Sequence, residues 1–252
     1  METKTQTGNQ SDQGRKSLIR LKCDLHTHVI GDRKQDKRFR GMLAPEAFID
    51  LASGLGFDAL SLTYHDYLYH DTEVWDYAKQ KGIILIPGTE RSIDRYHVLL
   101  LNAPHAETID SFEGIRYYRR IFPNCLTIAP HPFYKSRVCL GKKLMQHIDC
   151  FDAIEYCHFY TRYLNPNRKA IRVAKRFGLP MIGCSDAHRT HEFGTTYSHI
   201  FVKERSMEGI IQAVKAGRVA YETSPLALSR FIREVLWILT RLSFVLKGDM
   251  TH

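Results

Sequence analysis

The chain lacks several motifs that would place it in a common class of enzyme or binding module. None of its six cysteines forms a C-x-x-C pair, which excludes a zinc ribbon and a thioredoxin-like redox motif. A G-x-S-x-G sequence is absent, and so is a glycine-rich loop of the kind that cradles phosphate. The chain therefore shows no sign of an activated serine or of a phosphate-binding loop, and other residue types must carry its chemistry.

The composition is that of a soluble globular protein with a basic surplus. Of 252 residues, 44% are hydrophobic and 25% are charged, and the formal net charge is +9. A positive surplus attracts anionic ligands such as phosphate esters, nucleic acids and anionic lipid, but the basic residues are spread along the chain. The N-terminus carries no secretory signal and the cysteines are scattered, so we expect a cytoplasmic protein.

The apolar pattern predicts one barrel domain over residues 18–224, preceded by a disordered tail at 1–17 that is polar and has no periodicity. Short apolar segments alternate with helical patterns, which is typical of parallel βα units, and their number favours a TIM-like barrel over an open sheet. Strands are predicted at 18–25, 58–66, 82–90, 96–102, 125–133, 151–158, 179–188 and 218–223. Helices are predicted at 45–57, 71–82, 111–122, 136–148, 167–178 and 207–217.

Residues 225–247 form one long amphipathic pattern that differs from the rest. Arg230, Arg233 and Glu234 would each cost roughly 2.5–3.5 kcal/mol in the hydrocarbon of a bilayer, so we predict no transmembrane segment. We predict a helix that packs on its own barrel, with a homodimer contact or an interfacial membrane helix as alternatives. Its apolar stripe is formed by Leu228, Phe231, Ile232, Val235, Leu236, Leu239, Leu242 and Leu246.

Histidine and acidic residues follow the predicted strands where the strands end. In a parallel barrel the carboxyl ends of the strands form one rim, which is where active sites of this architecture lie. His97 is the exception, because it opens a strand and reaches the rim only if residues 96–102 run back antiparallel. The candidate metal ligands at this rim are His26, His28, His65, Glu90, His97, His131, Asp186 and His188.

The spacing of these residues suits shared metal ions. His26 and His28 lie two residues apart, which puts both imidazoles on one face of a strand, and Asp186 and His188 repeat that spacing. Imidazole and carboxylate ligands together suit Zn, Mn or Fe. Eight groups exceed what one ion takes, so we predict two or three divalent ions, two of them bridged by Glu90. The other histidines are predicted to be surface or loop residues: His70, His105, His147, His158, His191, His199 and His252.

Six motifs resemble, in order, those of the polymerase and histidinol phosphatase (PHP) family. The resemblance covers about residues 20–222 and implies a distorted seven-stranded (β/α) barrel with a di- or trinuclear metal site that cleaves phosphoesters. The motifs are Asp24-Leu25-His26-Thr27-His28, Thr63-Tyr64-His65-Asp66, Pro87-Gly88-Thr89-Glu90, His97-Val98-Leu99-Leu100, Pro130-His131-Pro132 and Gly183-Cys184-Ser185-Asp186-Ala187-His188.

The resemblance also implies how the ligands are shared among the ions. The first ion takes His26, His28, Glu90 and Asp186, the second takes Glu90, His97 and His131, and the third takes His65 and His188. Trinuclear members carry a further histidine shortly after the first motif, whereas residues 29–36 contain none. Asp32 and Asp36 are the candidate replacements, and without one of them the third site is weaker or fills only with substrate.

The implied function is metal-dependent hydrolysis of a phosphomonoester or a nucleotide-type phosphoester. The nucleophile would be a hydroxide that bridges two ions, with Glu90 as the bridging carboxylate. Arg91 and Arg189 adjoin rim motifs and are predicted to bind the phosphate, ahead of Arg95 and Arg137. No insertion domain separates residues 90 and 186, which favours a small phosphorylated substrate over the alternative, a nucleic acid.

Two other functions stay open on the sequence. An amidohydrolase-type enzyme acting on an amide also begins with His-x-His, but that class commonly bridges its metals with a carboxylated lysine, where this chain has Glu90. A non-catalytic metal-binding PHP module is the second alternative. Such a module has no physical need for eight costly polar groups in one place.

Overall fold

The structure is a computed structural model that describes residues 18–32 and 42–236. The predicted tail at 1–17, Asp36 and the predicted end of the last helix at 237–247 lie outside the described residues. The strands are β1 (Ile19–Thr27), β2 (Ala59–His65), β3 (Ile84–Leu85), β4 (Gly88–Ile93), β5 (Tyr96–Leu101), β6 (Leu126–Ala129), β7 (Ala153–Cys157), β8 (Met181–Cys184), β9 (Thr196–Val202) and β10 (Val219–Thr223). The helices are α1 (Pro45–Gly54), α2 (Thr72–Gln80), α3 (Phe112–Ile121), α4 (Lys143–Gln146), α5 (Asn167–Phe177), α6 (Met207–Lys215) and α7 (residues 228–236).

The strands form one sheet in the order β10-β9-β1-β2-β4-β5-β6-β7-β8, with β3 added beside β2. The sheet closes on itself at the upper end of β1. There the Asp186 amide donates to the carbonyl of His26 at 2.9 Å, and the His28 amide donates to the carbonyl of Ala187 at 3.0 Å. The lower end of β1 pairs instead with the antiparallel β9. The predicted distorted seven-stranded barrel is confirmed, with β9 and β10 as an added hairpin.

A β-bulge in β1 turns the two histidines of the first motif toward the centre of the barrel. Asp24 pairs with Leu60 of β2 and Thr27 pairs with Leu62, so β1 spends one residue more than β2 over this stretch. An extra residue exchanges the two faces of a strand, and bulges often lie beside active sites for that reason. The residues before the bulge fill the barrel with apolar side chains, while those after it present imidazoles.

The apolar core has three parts. A central cluster joins residues of β1, β5, β6, β8, β9 and α6, so α6 covers the barrel interior. A second cluster packs α3 and α5 against β5, β6 and β7, and a third packs α1 and α2 against β2. The metal-ligand candidates lie above the central cluster and are therefore supported from below by apolar side chains.

Three predicted elements differ in the structure. The predicted helix at 136–148 is reduced to α4, because Gly141 takes a positive φ of 55° that interrupts a helix. The predicted strand at 82–90 divides at Pro87 into β3 and β4. The strand β9 was not predicted, since its buried residues alternate with partly exposed polar ones and no long apolar run marks it. The antiparallel direction predicted for 96–102 is confirmed by the pairing of β5 with β4.

The C-terminal helix α7 lies beside the loop that follows β7. The ring of Phe231 is 4.9 Å from the ring of Phe159, and the amide of Leu226, just before α7, donates to the carbonyl of Tyr160 at 2.8 Å. No helix among residues 18–32 and 42–236 has the length and apolar character that crossing a bilayer requires. All six cysteines are buried and unpaired.

We expect Gly183→Ala to destabilise the barrel, because β8 and β9 approach too closely there for a side chain. A Cβ at Gly183 would lie 2.7 Å from the carbonyl oxygen of Tyr197 and 2.7 Å from the Cβ of Tyr221. Such overpacking costs about 1–3 kcal/mol in the free energy of unfolding, measured by urea denaturation. Gly54→Ala in α1 is the control, since no atom lies within 4 Å of the new Cβ. Equal stabilities of the two variants would contradict this view of the β8–β9 contact.

Candidate metal centre

Four ligand atoms from three parts of the chain meet in one cage above the central core. The Nε2 atoms of His26 and His28 lie 3.2 Å apart, and each is 3.3 Å from Asp186 Oδ1. Each of them is also 3.5 Å from Glu90 Oε2. His26, His28 and Glu90 are almost fully buried, so these groups are held away from solvent.

The size of this cage fits a divalent transition-metal ion. A tetrahedral ion with metal–ligand bonds of about 2.1 Å separates its ligand atoms by roughly 3.4 Å. The five separations given above span 3.2 to 3.5 Å. Two imidazole nitrogens and two carboxylate oxygens are also a donor set that Zn, Mn and Fe accept. The residues present therefore fit an ion in both geometry and chemistry.

The second carboxylate oxygen of Glu90 faces a different pair of imidazoles. Glu90 Oε1 is 2.6 Å from His97 Nδ1 and 3.0 Å from His131 Nε2, whereas Oε2 is 2.9 Å from His65 Nε2. Burial opposes the ionisation of Glu90, but the imidazoles of His97, His65 and His26 outweigh it and hold the pKa well below its usual value. Glu90 is thus an ionised carboxylate with ligand groups on both sides.

Asp32 lies where a third group of ligands forms. Its Oδ2 is 3.1 Å from His28 Nδ1 and 2.7 Å from His65 Nδ1, and these three residues offer ligand atoms within 4.8 Å of one another. His188 stacks on His28 with ring centroids 4.3 Å apart. Burial, assisted by the imidazole of His28, lowers the pKa of His188 to about 4, so its ring is neutral and able to ligate at pH 7.

Two buried carboxylates that support the ligands were missed as functional residues on the sequence. Glu155 of β7 has Oε1 at 2.9 Å from His26 Nδ1, and its Oε2 accepts the amide of His131 at 2.5 Å. Asp24 of β1 accepts the amide of Ser185 at 3.1 Å, and burial raises the pKa of Asp24 to about 7. A charged residue inside an otherwise apolar strand is the signal that could have identified Glu155.

The ligand groups open into a cavity of about 310 Å³ at the rim. Its wall includes His158, which is 5% exposed and was wrongly predicted to be a surface or loop residue. The reason is that β7 ends at Cys157, so the next residue lies on the rim beside the other ligands. Cys139 also lines the cavity, with its Sγ 3.3 Å from His131 Nδ1. The lining residues are His65, Glu90, His97, His131, Tyr134, Ser136, Val138, Cys139, Cys157, His158, Phe159, Asp186, His188, Arg189 and Glu192.

The structure brings all eight predicted ligands together but separates the two arginines predicted to bind phosphate. Arg189 lines the cavity, whereas Arg91 does not. Arg91 Nη1 donates to Asp66 Oδ1 at 2.9 Å and its Nη2 donates to the carbonyl of Ile109 at 2.8 Å. Those contacts tie β4 to the neighbouring loops. Arg95 and Arg137 are both exposed.

Comparison with known proteins relates this fold and this site to one family. A family model described as PHP-associated matches residues 165–219, which contain α5, β8, β9 and α6. No curated protein matches the chain. A two-domain protein from Bacteroides vulgatus, containing a predicted PHP-like metal-dependent phosphoesterase, superposes with a TM-score of 0.60 and 23% identity over 89% of this chain and 70% of its own.

Two further structures share the fold. PsfC from Pseudomonas syringae has a TM-score of 0.58 and 18% identity, over 89% of this chain and 99% of its own. The lesion-specific endonuclease PfuEndoQ from Pyrococcus furiosus has a TM-score of 0.55 and 18% identity, over 79% of this chain and 56% of its own. The resemblance to the PHP family is confirmed by these comparisons together with the family model, and the barrel is the fold they share.

We expect Glu155→Gln to weaken metal binding without unfolding the barrel. The carboxylate fixes the His26 ring, so that Nε2 faces the cage, and a neutral amide satisfies only part of this arrangement. Loss of such an outer partner lowers metal affinity roughly 10–100-fold, which a Zn²⁺ or Mn²⁺ titration measures. Glu222→Gln, on the exposed face of β10, is the matched control. Unchanged affinity in Glu155→Gln would show that the His26 ring is oriented by other contacts.

Proposed function

We propose that the chain is a divalent-metal-dependent phosphoesterase. The observation that carries this proposal is the division of Glu90, whose two oxygens face separate sets of imidazoles. Such a carboxylate suits two neighbouring ions, and paired ions are a recurrent arrangement in phosphoester hydrolysis. The confirmed resemblance to the PHP family and its shared barrel support the same chemistry.

The chain's own residues prepare this site in three ways. The carboxylates of Glu155 and Asp32 bind the Nδ1 atoms of His26, His28 and His65, which leaves the Nε2 atoms directed at the cage. The cavity at the rim admits a substrate next to Glu90 and Asp186. Bound divalent ions would supply Lewis acidity and a water of lowered pKa. No side chain of the serine-nucleophile type is needed for that reaction.

An amide substrate is less well supported by the same cavity. Amidohydrolase-type centres commonly bridge their ions with a carboxylated lysine, and no lysine is among the described residues that line this cavity. Glu90 takes the bridging position instead. A non-catalytic metal-binding module remains the other alternative, against which stands an open cavity directly above the ligands.

A small phosphomonoester is the substrate we propose, because about 310 Å³ is near the lower limit of ordinary ligand cavities. A nucleic acid is the second candidate. Lys135 and Arg137 are exposed and alternate along the chain with Ser136 and Val138, which line the cavity. A basic edge of this kind suits a polyanion, and one structure sharing the fold is described as a lesion-specific endonuclease.

Removing a ligand is expected to abolish both metal binding and hydrolysis. His26→Ala and Glu90→Ala should lower the metal content and the kcat/KM on p-nitrophenyl phosphate by more than the roughly 10–100-fold of an outer-shell change. His105→Ala, at an exposed histidine, is the control. Each variant is assayed with Mn, Zn and Fe supplied in turn. Full metal content in both ligand variants would mean that the centre is assigned to the wrong residues.

The double variant Lys135→Gln/Arg137→Gln separates the two substrate classes. With a small phosphomonoester as substrate, kcat/KM on p-nitrophenyl phosphate should stay within about twofold, and a 5′-phosphorylated oligonucleotide should be a poor substrate. Lys169→Gln/Arg176→Gln on α5 removes the same charge away from the cavity. A preferred oligonucleotide whose salt dependence falls by about one unit per lost phosphate contact, in the first variant alone, would replace the small substrate by a nucleic acid.

A further inference from the structure

A chain of ion pairs joins the C-terminal helix to the turn that carries a metal ligand. Glu234 of α7 binds the Nη2 of Arg189 and lies 3.2 Å from His191 Nε2. The Nε of Arg189 in turn donates to Glu192 Oε1 at 3.0 Å. The guanidinium is therefore held between two carboxylates, Glu192 and Glu234, which we call the carboxylate clasp.

The other oxygen of Glu192 fixes the backbone of the ligand itself. Glu192 Oε2 accepts the amides of His188 and Arg189, each at 2.9 Å. His188 is one of the eight residues of the metal centre and stacks on His28. One carboxylate thus holds the main chain of a ligand residue with one oxygen and the arginine at the cavity wall with the other.

The clasp is buried, which gives its charges more weight than surface ion pairs have. Glu192 and Glu234 are each 8% exposed, and the Arg189 side chain is 15% exposed. Removing one member of a buried pair costs much more than removing a surface one, since the remaining charge stays desolvated. Two carboxylates oppose one guanidinium, so the local charge around Arg189 is negative rather than suited to a phosphate.

We propose that Glu192 and Glu234 are positioning residues of the metal centre, which act through Arg189 and the backbone of His188 to fix the His188 imidazole. The helix α7 is then a part of the active site rather than an appendage. Arg189 has the role of a connector in place of the phosphate-binding role predicted from its position beside the last motif. The inference rests on the metal centre of the proposed function, and it is independent of which ester the centre cleaves.

The test is a Mn²⁺ titration of the full-length chain with Glu234→Gln and Glu192→Gln. We expect Glu192→Gln to weaken the ion held with His188 by roughly 10–100-fold, the effect of losing an outer-shell partner. Glu234→Gln acts through one more residue and should weaken the same ion by about tenfold or less, while the ions at the two sides of Glu90 keep their affinity. Glu208→Gln on the exposed face of α6 is the matched control and should change neither.

A double-mutant cycle with Arg189→Met distinguishes positioning from a general loss of stability. If Glu234 acts through Arg189, Glu234→Gln should add little to the affinity lost in Arg189→Met, so the two effects are not additive. On p-nitrophenyl phosphate, the single variants should lower kcat and leave KM unchanged.

Wild-type Mn²⁺ affinity in both Glu variants would overturn the proposal. So would an equal loss at every ion that follows a lowered Tm, because that is the behaviour of a purely structural contact. If the wild-type protein binds Mn²⁺ but hydrolyses no phosphoester, the proposed function fails, and the titration alone still decides between positioning and a structural contact.

Discussion

The burial of one carboxylate, Glu90, is the constraint on which the rest of the centre depends. A carboxylate that is 1% exposed must be compensated from all sides, and imidazoles from β1, β2, β5 and the chain after β6 provide that compensation. Each imidazole must in turn be held by a second partner, which explains the outer ring formed by Asp32, Glu155 and Asp186. The polar groups at the top of the barrel therefore form one connected network rather than a set of separate sites.

The fold supplies this network through irregularities rather than through regular barrel geometry. The bulge in β1 turns His26 and His28 inward, and the antiparallel return of β5 brings His97 back to the rim beside Glu90. Closure of the barrel between β1 and the chain after β8 places Asp186 against His26. Because ligands arrive from strands far apart in the sequence, the metal centre and the barrel closure are expected to depend on each other.

Local patterns were enough to predict the barrel and the eight ligands. A histidine or acid at the end of a strand can be recognised from a few residues, and the ordered motifs fixed the register of the strands that carry them. The partners could not be predicted in this way, since Glu155 meets His26 across 129 positions of the chain and Glu234 meets Arg189 across 45. Strand β9 was missed for a similar reason, because its polar alternation makes sense only once β1 and β10 lie on either side of it.

Locating the ions directly would test the central claim, that the two oxygens of Glu90 serve two ions. Crystals soaked in Mn²⁺ or Zn²⁺ and measured at the absorption edge of the metal would show each ion as an anomalous peak. We predict one peak inside the cage of His26, His28, Glu90 and Asp186, and a second between Glu90, His97 and His131. A single peak, or peaks that leave either oxygen of Glu90 without an ion, would contradict the account.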